Sequence, residues 1–250
     1  MLKKMLLKKL MYYKDFRLNR LNTPKYSHIK LLIFWPIFGM AFTFLERGLP
    51  WLCKLFGTEI TYYPIYCPLD DQIQFNELFV IPYYFWFAFI FLMLVYTFLF
   101  EIPVFRKFMW FFIFTYGITG IIYIVFPNMQ DFRPLSPEML GRDNFLIDIA
   151  FWLYSYDTNT NVFPSMHVIG SFAVCFAAWH SELFGKWYWR IIFFVTAAII
   201  SVSTVFLRQH SVLDIVGGLI LCAIFYPLIF LRKKKESTQT AQQDMVKNKI

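Results

Sequence analysis

Apolar residues in this chain come in long unbroken runs, not in the one-sided stripe of a soluble helix or the alternation of a half-buried strand. A bilayer span takes about 20 such residues. Six runs approach that length, at 29–45, 78–100, 108–126, 165–179, 191–207 and 215–231. The fourth is short when counted from Val168, which predicts that its N-terminal end lies inside the protein. Segments 1–28 and 232–250 are polar and basic and read as tails flanking a membrane domain at 29–231. Within the connection at 127–164, Phe145, Leu146, Ile149, Trp152 and Leu153 recur at helical spacing. They predict a short helix lying against the membrane edge or packed over the bundle. The aromatic loop 48–77 is long enough to cover a pocket.

Composition turns these runs into an all-α, polytopic membrane protein with six transmembrane helices. The chain is 58% hydrophobic and 22% aromatic, and only 16% of its residues are charged, against roughly 25% in soluble domains. No cleavable signal peptide is expected, because 12–26 is polar and no small-residue cleavage site follows a short apolar core. Of the 24 Lys and Arg residues, nineteen fall in 1–30, 106–107, 186–190 and the C-terminal tail. The excess of basic residues on one side predicts that both termini are cytoplasmic and that 46–77, 127–164 and the turn 208–213 face outward. The net charge of +8 is then mainly a topology signal. Nucleic acid is not an expected partner, whereas anionic membrane lipid is. Cys53 and Cys67 share one loop, and Cys175 and Cys222 lie in separate apolar runs. No metal-ligand spacing results, and a Cys53–Cys67 disulfide is left open.

Candidate chemistry gathers where the apolar runs break. His210 and Asp214 are four residues apart and share a helix face. A carboxylate on one imidazole nitrogen fixes the tautomer and makes the other nitrogen a better nucleophile. Taken alone, the pair reads equally as a capping carboxylate beside an interfacial histidine. Pro164 suits a first helical turn, so the free N–H groups after Ser165 form a phosphate cradle. Ser165 offers a hydroxyl, and His167 an acid for a departing alkoxide. Arg133 and Arg208 offer planar forks for phosphate oxygens, or contacts to lipid headgroups. Each stretch is unspecific by itself. Their convergence on one membrane face supplies anion binder, acid, nucleophile and orienting carboxylate together.

The ordered set resembles the signature of the type 2 phosphatidic acid phosphatase superfamily, which also holds the vanadium haloperoxidases and the sphingolipid phosphotransferases. That signature runs Lys, six residues, Arg-Pro; Pro-Ser-x-His; and Ser-Arg, five residues, His, three residues, Asp. Here the matching residues are Arg133-Pro134, then Pro164-Ser165-Met166-His167, then Ser203-Thr204, His210 and Asp214. The resemblance implies a six-helix bundle in which His210 attacks phosphorus, Asp214 orients it, and His167 protonates the leaving alcohol. Arg133, Ser165 and, as a replacement cation, Arg208 would hold the phosphate. Two positions depart from the pattern, since Phe126 stands at the Lys position and Thr204 at the second motif's Arg. The threonine is similar to the inositol phosphorylceramide synthase and sphingomyelin synthase branch. The lost cations argue against vanadate-dependent oxidation.

The expected function is therefore a metal-independent membrane lipid phosphatase acting on a lipid phosphate or diphosphate through phosphohistidine at the outer face, with no cofactor. The alternatives are a phosphotransferase passing the head group to a lipid or polyol alcohol, and a non-catalytic lipid-binding relative. The lipid, the acceptor and the oligomeric state stay open.

Overall fold

Leu78–Phe100 carries almost no charge, and no register of a helix there can present a polar face. The segment is long enough to satisfy its backbone internally, and in lipid only a helix or closed barrel does so. The computed structural model, which describes residues 11–232, accordingly consists of apolar helices. We label these α1 (Ser27–Leu55), α3 (Glu77–Phe100), α4 (Ile102–Val125), α7 (Trp187–Phe206) and α8 (Val212–Leu231), with α2 (Pro68–Gln72), α5 (Phe145–Tyr156) and α6 (Met166–Trp179) between them. The outermost residues of the two tails lie outside the described part.

Five of these helices are long and apolar enough to cross a membrane, which makes the chain an integral membrane protein. The expectation of six spans is not met on length. The missing one is α6, whose 14 residues rise about 21 Å, short of a hydrocarbon core of about 30 Å. Its first turn starts at the buried Ser165, inside the bundle. α6 is the central helix and packs against α3, α4, α7 and α8. Gly170, Ser171, Ala173, Ala177 and Ala178 on it are buried, and small residues let helix backbones approach closely where burial from lipid gives no hydrophobic gain. At Gly170 an added methyl would stand 2.8 Å from both Ile90 and the Tyr116 hydroxyl.

α1 runs ten residues beyond its expected end, through Glu46 and Arg47. Glu46 is buried, accepting from Asn161 Nδ2 at 2.6 Å and Thr160 Oγ1 at 3.2 Å, so its carboxylate does not end the helix. The helix touches the bundle chiefly through aromatic pairs such as Trp35–Phe112 and Phe38–Tyr116, each 4.9 Å between centroids. The described part of the basic N-terminal segment is packed too. Tyr13 donates to Phe98 O at 2.6 Å and its hydroxyl meets His28 Nε2 at 2.8 Å. Arg106 donates to Pro24 O and Lys107 to Phe230 O, so the beginning and end of the described chain share one end of the bundle.

The opposite end is closed by the connections. A two-residue parallel ladder pairs β1 (Tyr63–Pro64) with β2 (Asn128–Met129), Tyr63 opposite Asn128. In α5 the buried face is Ile147, Ala150 and Leu153, while Phe145, Trp152 and Tyr156 are exposed. The expected apolar stripe thus splits, one side packing on α3 and the other facing outward. All four cysteines are free thiols, so Cys53 and Cys67 are not bridged.

Candidate active site

Helix α7 ends in a tight loop. Thr204 O accepts from both Gln209 N at 2.9 Å and His210 N at 3.2 Å, with Arg208 in the left-handed region at φ 52°. A non-glycine residue there costs roughly 1–2 kcal/mol. It is held by Gln130 Nε2 on Arg208 O at 2.7 Å and by its own Nη1 on Asp70 O at 2.9 Å. The loop delivers His210 to the N-terminus of α8. His210 Nδ1 then lies 3.0 Å from Asp214 Oδ2, which also accepts Ser211 N at 2.9 Å. With Nδ1 engaged, Nε2 is the free ring nitrogen, and it sits 3.5 Å from Ser165 Oγ.

Ser165 stands at the N-cap of α6 but makes no side-chain cap bond, so its hydroxyl is left for the site. Its amide donates to Asp214 O at 3.0 Å, stitching the two motifs together. Several clamps hold this turn. Tyr123 donates to Pro164 O at 3.0 Å, Tyr116 to Met166 O at 3.0 Å, and Trp86 Nε1 to His167 O at 3.1 Å. Asn128 is fully buried and uses both ends of its amide. Its Oδ1 accepts Val162 N and Phe163 N, and its Nδ2 donates to Phe126 O and Phe163 O.

In the first turn of α6, the His167 ring packs between Tyr83 and Trp86, at 4.6 and 4.4 Å. Its centroid is 5.5 Å from that of His210, with the rings at 70°. The three expected catalytic residues and Ser165 therefore meet at one place. The two histidines border a cavity of about 40 Å³ lined by His167, His210, Gln209, Tyr123, Asp157 and Asn161, among others. One water needs about 10–15 Å³, so this is space for a group of a few heavy atoms.

The two expected arginines are placed differently. Neither lines this cavity. Arg133 donates to Asp157 O and Thr158 O, each at 2.6 Å, and to Gln209 Oε1, and its guanidinium lies 4.8 Å over the Tyr154 ring. Burial lowers its proton affinity while Asp157 raises it; a guanidinium nonetheless stays charged. Arg208 is spent on the Asp70 carbonyl. The two departures from the motif have local explanations. Phe126 stacks on Tyr63 at 5.2 Å, and Thr204 is buried with its hydroxyl on Ser201 O at 2.8 Å.

Asp70, Gln209, Asn128, Asp157 and Glu46 are site-forming residues that sequence reasoning missed. Asp70 is buried and accepts from Ser211 Oγ at 2.7 Å, Val212 N at 2.9 Å and Cys67 N at 2.8 Å. It caps α2 and α8 at once. The only sequence signal for it is a Pro-x-Asp start to a short helix, which does not reveal the second partner.

Toward α1 the small cavity shares the wall of Phe42, Asp157 and Thr158 with one of about 290 Å³ that reaches Thr43, Glu46 and Arg47. That space shares Thr43 and Arg47 with a groove of about 430 Å³ along Gly39, Met40 and Phe44 on the exposed face of α1. Arg47 Nη2 bridges the mouth to Tyr156 O at 2.7 Å.

Among the described residues no three His, Cys, Asp or Glu side chains group as a metal would require. No curated protein and no solved structure matches the chain. The PAP2 superfamily matches residues 108–237, more than half of the chain, from α4 through both histidine motifs. The chain belongs to the PAP2 superfamily, and with it to phosphatase- or phosphotransferase-type chemistry on lipid phosphates.

Proposed function

We propose that the protein hydrolyses a lipid phosphomonoester or diphosphate through a phosphohistidine on His210. The observation that carries the reading is the meeting of His210 Nε2 with Ser165 Oγ at 3.5 Å while Asp214 holds Nδ1 at 3.0 Å. Nε2 attacks phosphorus in line with the lipid oxygen. The P–O bond breaks as His167, protonated, gives its proton to the departing alkoxide. Asp214 stabilises the positive charge that develops on His210. Neutral His167 then takes a proton from water as the water oxygen attacks the phosphohistidine, freeing inorganic phosphate and restoring both imidazoles. Ser165 and the N–H groups at the start of α6 hold the phosphoryl oxygens. Arg133 and Arg208 act from outside the cavity.

The linked spaces running to the exposed face of α1 support a lipid as the leaving group. Its head would lie at the histidines and its tail along Gly39 and Met40. The asymmetry of Lys and Arg supports termini in the cytoplasm and an outward site. In keeping with it, Arg106, Lys107 and Arg190 lie at the end of the bundle away from His210.

One observation favours a second reading. Thr204 leaves the pocket without a cation that a phosphatase of this family carries, and similar threonine-bearing relatives pass the phosphoryl head group to an alcohol. The same phosphohistidine would then be attacked by a lipid or polyol hydroxyl. Purified protein with labelled phosphatidate distinguishes the two. Inorganic phosphate released without an acceptor supports hydrolysis, and a new phospholipid formed only on adding an alcohol supports transfer. In both cases an acid-labile, base-stable adduct maps to His210. A protein that does neither, and in which His210→Ala changes nothing, rejects catalysis.

A further inference from the structure

The site lacks two of its family's cations, yet it contains a hydrogen-bond donor with nothing to donate to. Gln209 precedes the nucleophile, is buried, and lines the small cavity beside His167 and His210. Its Oε1 accepts from Arg133 Nη2. Because a guanidinium only donates, that contact fixes which end of the amide faces Arg133. The Nε2 end is left over, buried and without a hydrogen-bond partner among the described residues. A buried unsatisfied donor costs about 1–3 kcal/mol, and native proteins keep few of them. One placed next to a catalytic imidazole, in a space for a few heavy atoms, calls for an acceptor in that space.

We propose that Gln209 is a phosphate-binding residue, its Nε2 donating to a non-bridging phosphoryl oxygen, and that Arg133 is a positioning residue that aims this amide. The proposal rests on the phosphoryl-transfer reading. It gives Arg133 a part that its geometry allows. Three of its five donors are taken, by the carbonyls of Asp157 and Thr158 and by Gln209. Its Nε is buried without a partner among the described residues, but Arg133 does not line the cavity, so it acts on the substrate through the amide. It also accounts for a working site in which Phe126 and Thr204 replace cations. A neutral donor in a site closed from water contributes more than it would in solvent.

The direct test is binding of inorganic phosphate and of vanadate to the purified protein by titration calorimetry, which does not depend on turnover. Gln209→Glu keeps an acceptor for Arg133 and puts an anion where the donor was. It should retain the wild-type melting temperature and lose oxyanion binding by roughly a hundredfold or more. Gln209→Met, isosteric and without a donor, should weaken binding roughly tenfold to hundredfold. Arg133→Lys should weaken binding in the wild-type background and add little in the Gln209→Met background, because it acts through the amide. Undiminished oxyanion binding in Gln209→Glu overturns the proposal. So do additive losses for Arg133→Lys and Gln209→Met, which would mean that Arg133 reaches the anion directly. Wild-type protein that binds neither anion and forms no phosphohistidine overturns the phosphoryl-transfer reading itself; wild-type binding with an indifferent Gln209 overturns this one alone.

Discussion

Asp70 accepts the hydroxyl of Ser211 at 2.7 Å, joining the short helix α2 to the residue that follows the candidate nucleophile. Ser211 in turn gives its amide to Asp214, the partner of His210. A carboxylate far away in sequence thus fixes the start of α8, and with it the direction in which His210 points. Asp70→Ala strands the Ser211 hydroxyl and the amides of Val212 and Cys67. At about 1–3 kcal/mol for a buried unsatisfied group, the expected fall in melting temperature is roughly 5–10 °C, with activity lost in parallel. Asp70→Asn keeps an acceptor for one amide and should lose about half as much. Thermal unfolding in detergent measures both, and an unchanged Asp70→Ala would remove the strut.

His167 and His210 share a cavity but are not interchangeable. His210 has Asp214 on its Nδ1, whereas the His167 ring has aromatic neighbours, Tyr83 and Trp86. If His167 is the acid, its value depends on how much the leaving group needs a proton. His167→Ala should slow release of an alkyl alcohol by roughly 10²–10⁴ and release of p-nitrophenol, a stable anion, by about tenfold or less. The comparison needs only two phosphate esters and one variant. Equal losses on both would take the acid role away from His167.

How much of this was legible from the chain follows from what spacing can encode. The approach of His210 to Asp214 and the start of a helix after Ser165 are local relations that periodicity and capping rules reach. Both are met with a shift: His210 stands just before the N-cap Ser211 of α8 and meets Asp214 through its ring, and Pro164 precedes the N-cap Ser165 of α6 instead of entering its first turn. Contacts between loops are not local. Nothing near Asp70 announces Ser211, and nothing near Arg133 announces the carbonyls of Asp157 and Thr158 that occupy its fork. The Glu46-Arg47 pair resembles a span end, and only the Asn161 and Thr160 partners of Glu46 show why α1 continues. α6 reads as a span by hydropathy, yet its neighbours bury it so fully that it need not cross the whole hydrocarbon layer.

Metal dependence offers a test that needs no mutation. In the proposed chemistry charge on the transferring group meets His210, His167, Ser165 and the N-terminus of α6, and no group of three carboxylate, imidazole or thiolate ligands adjoins them among the described residues. Turnover of a lipid phosphate in detergent should stay within about twofold when a strong chelator is added. A loss restored by Mg²⁺, with substrate dispersion held constant, would contradict the phosphohistidine route.

The lipid-facing groove makes the last prediction. Thr43 is the residue that the 290 and 430 Å³ spaces have in common with Arg47, where the surface of α1 turns inward toward Asp157 and the histidines. It is exposed, and among the described residues its hydroxyl bonds only to Gly39 O of its own helix, at 2.8 Å. A larger side chain there disturbs no packed neighbour, so Thr43→Trp should leave the melting temperature unchanged. It should nonetheless obstruct a substrate whose tail must lie along Gly39 and Met40. The expected result is a loss of roughly tenfold in kcat/KM for a long-chain lipid phosphate in bilayers, about 1.4 kcal/mol. A short water-soluble ester, which can reach His210 without that groove, should be hydrolysed at the wild-type rate. Equal rates on the long-chain substrate would mean that lipid enters elsewhere, and equal losses on both would mean that the substitution reached the histidines themselves.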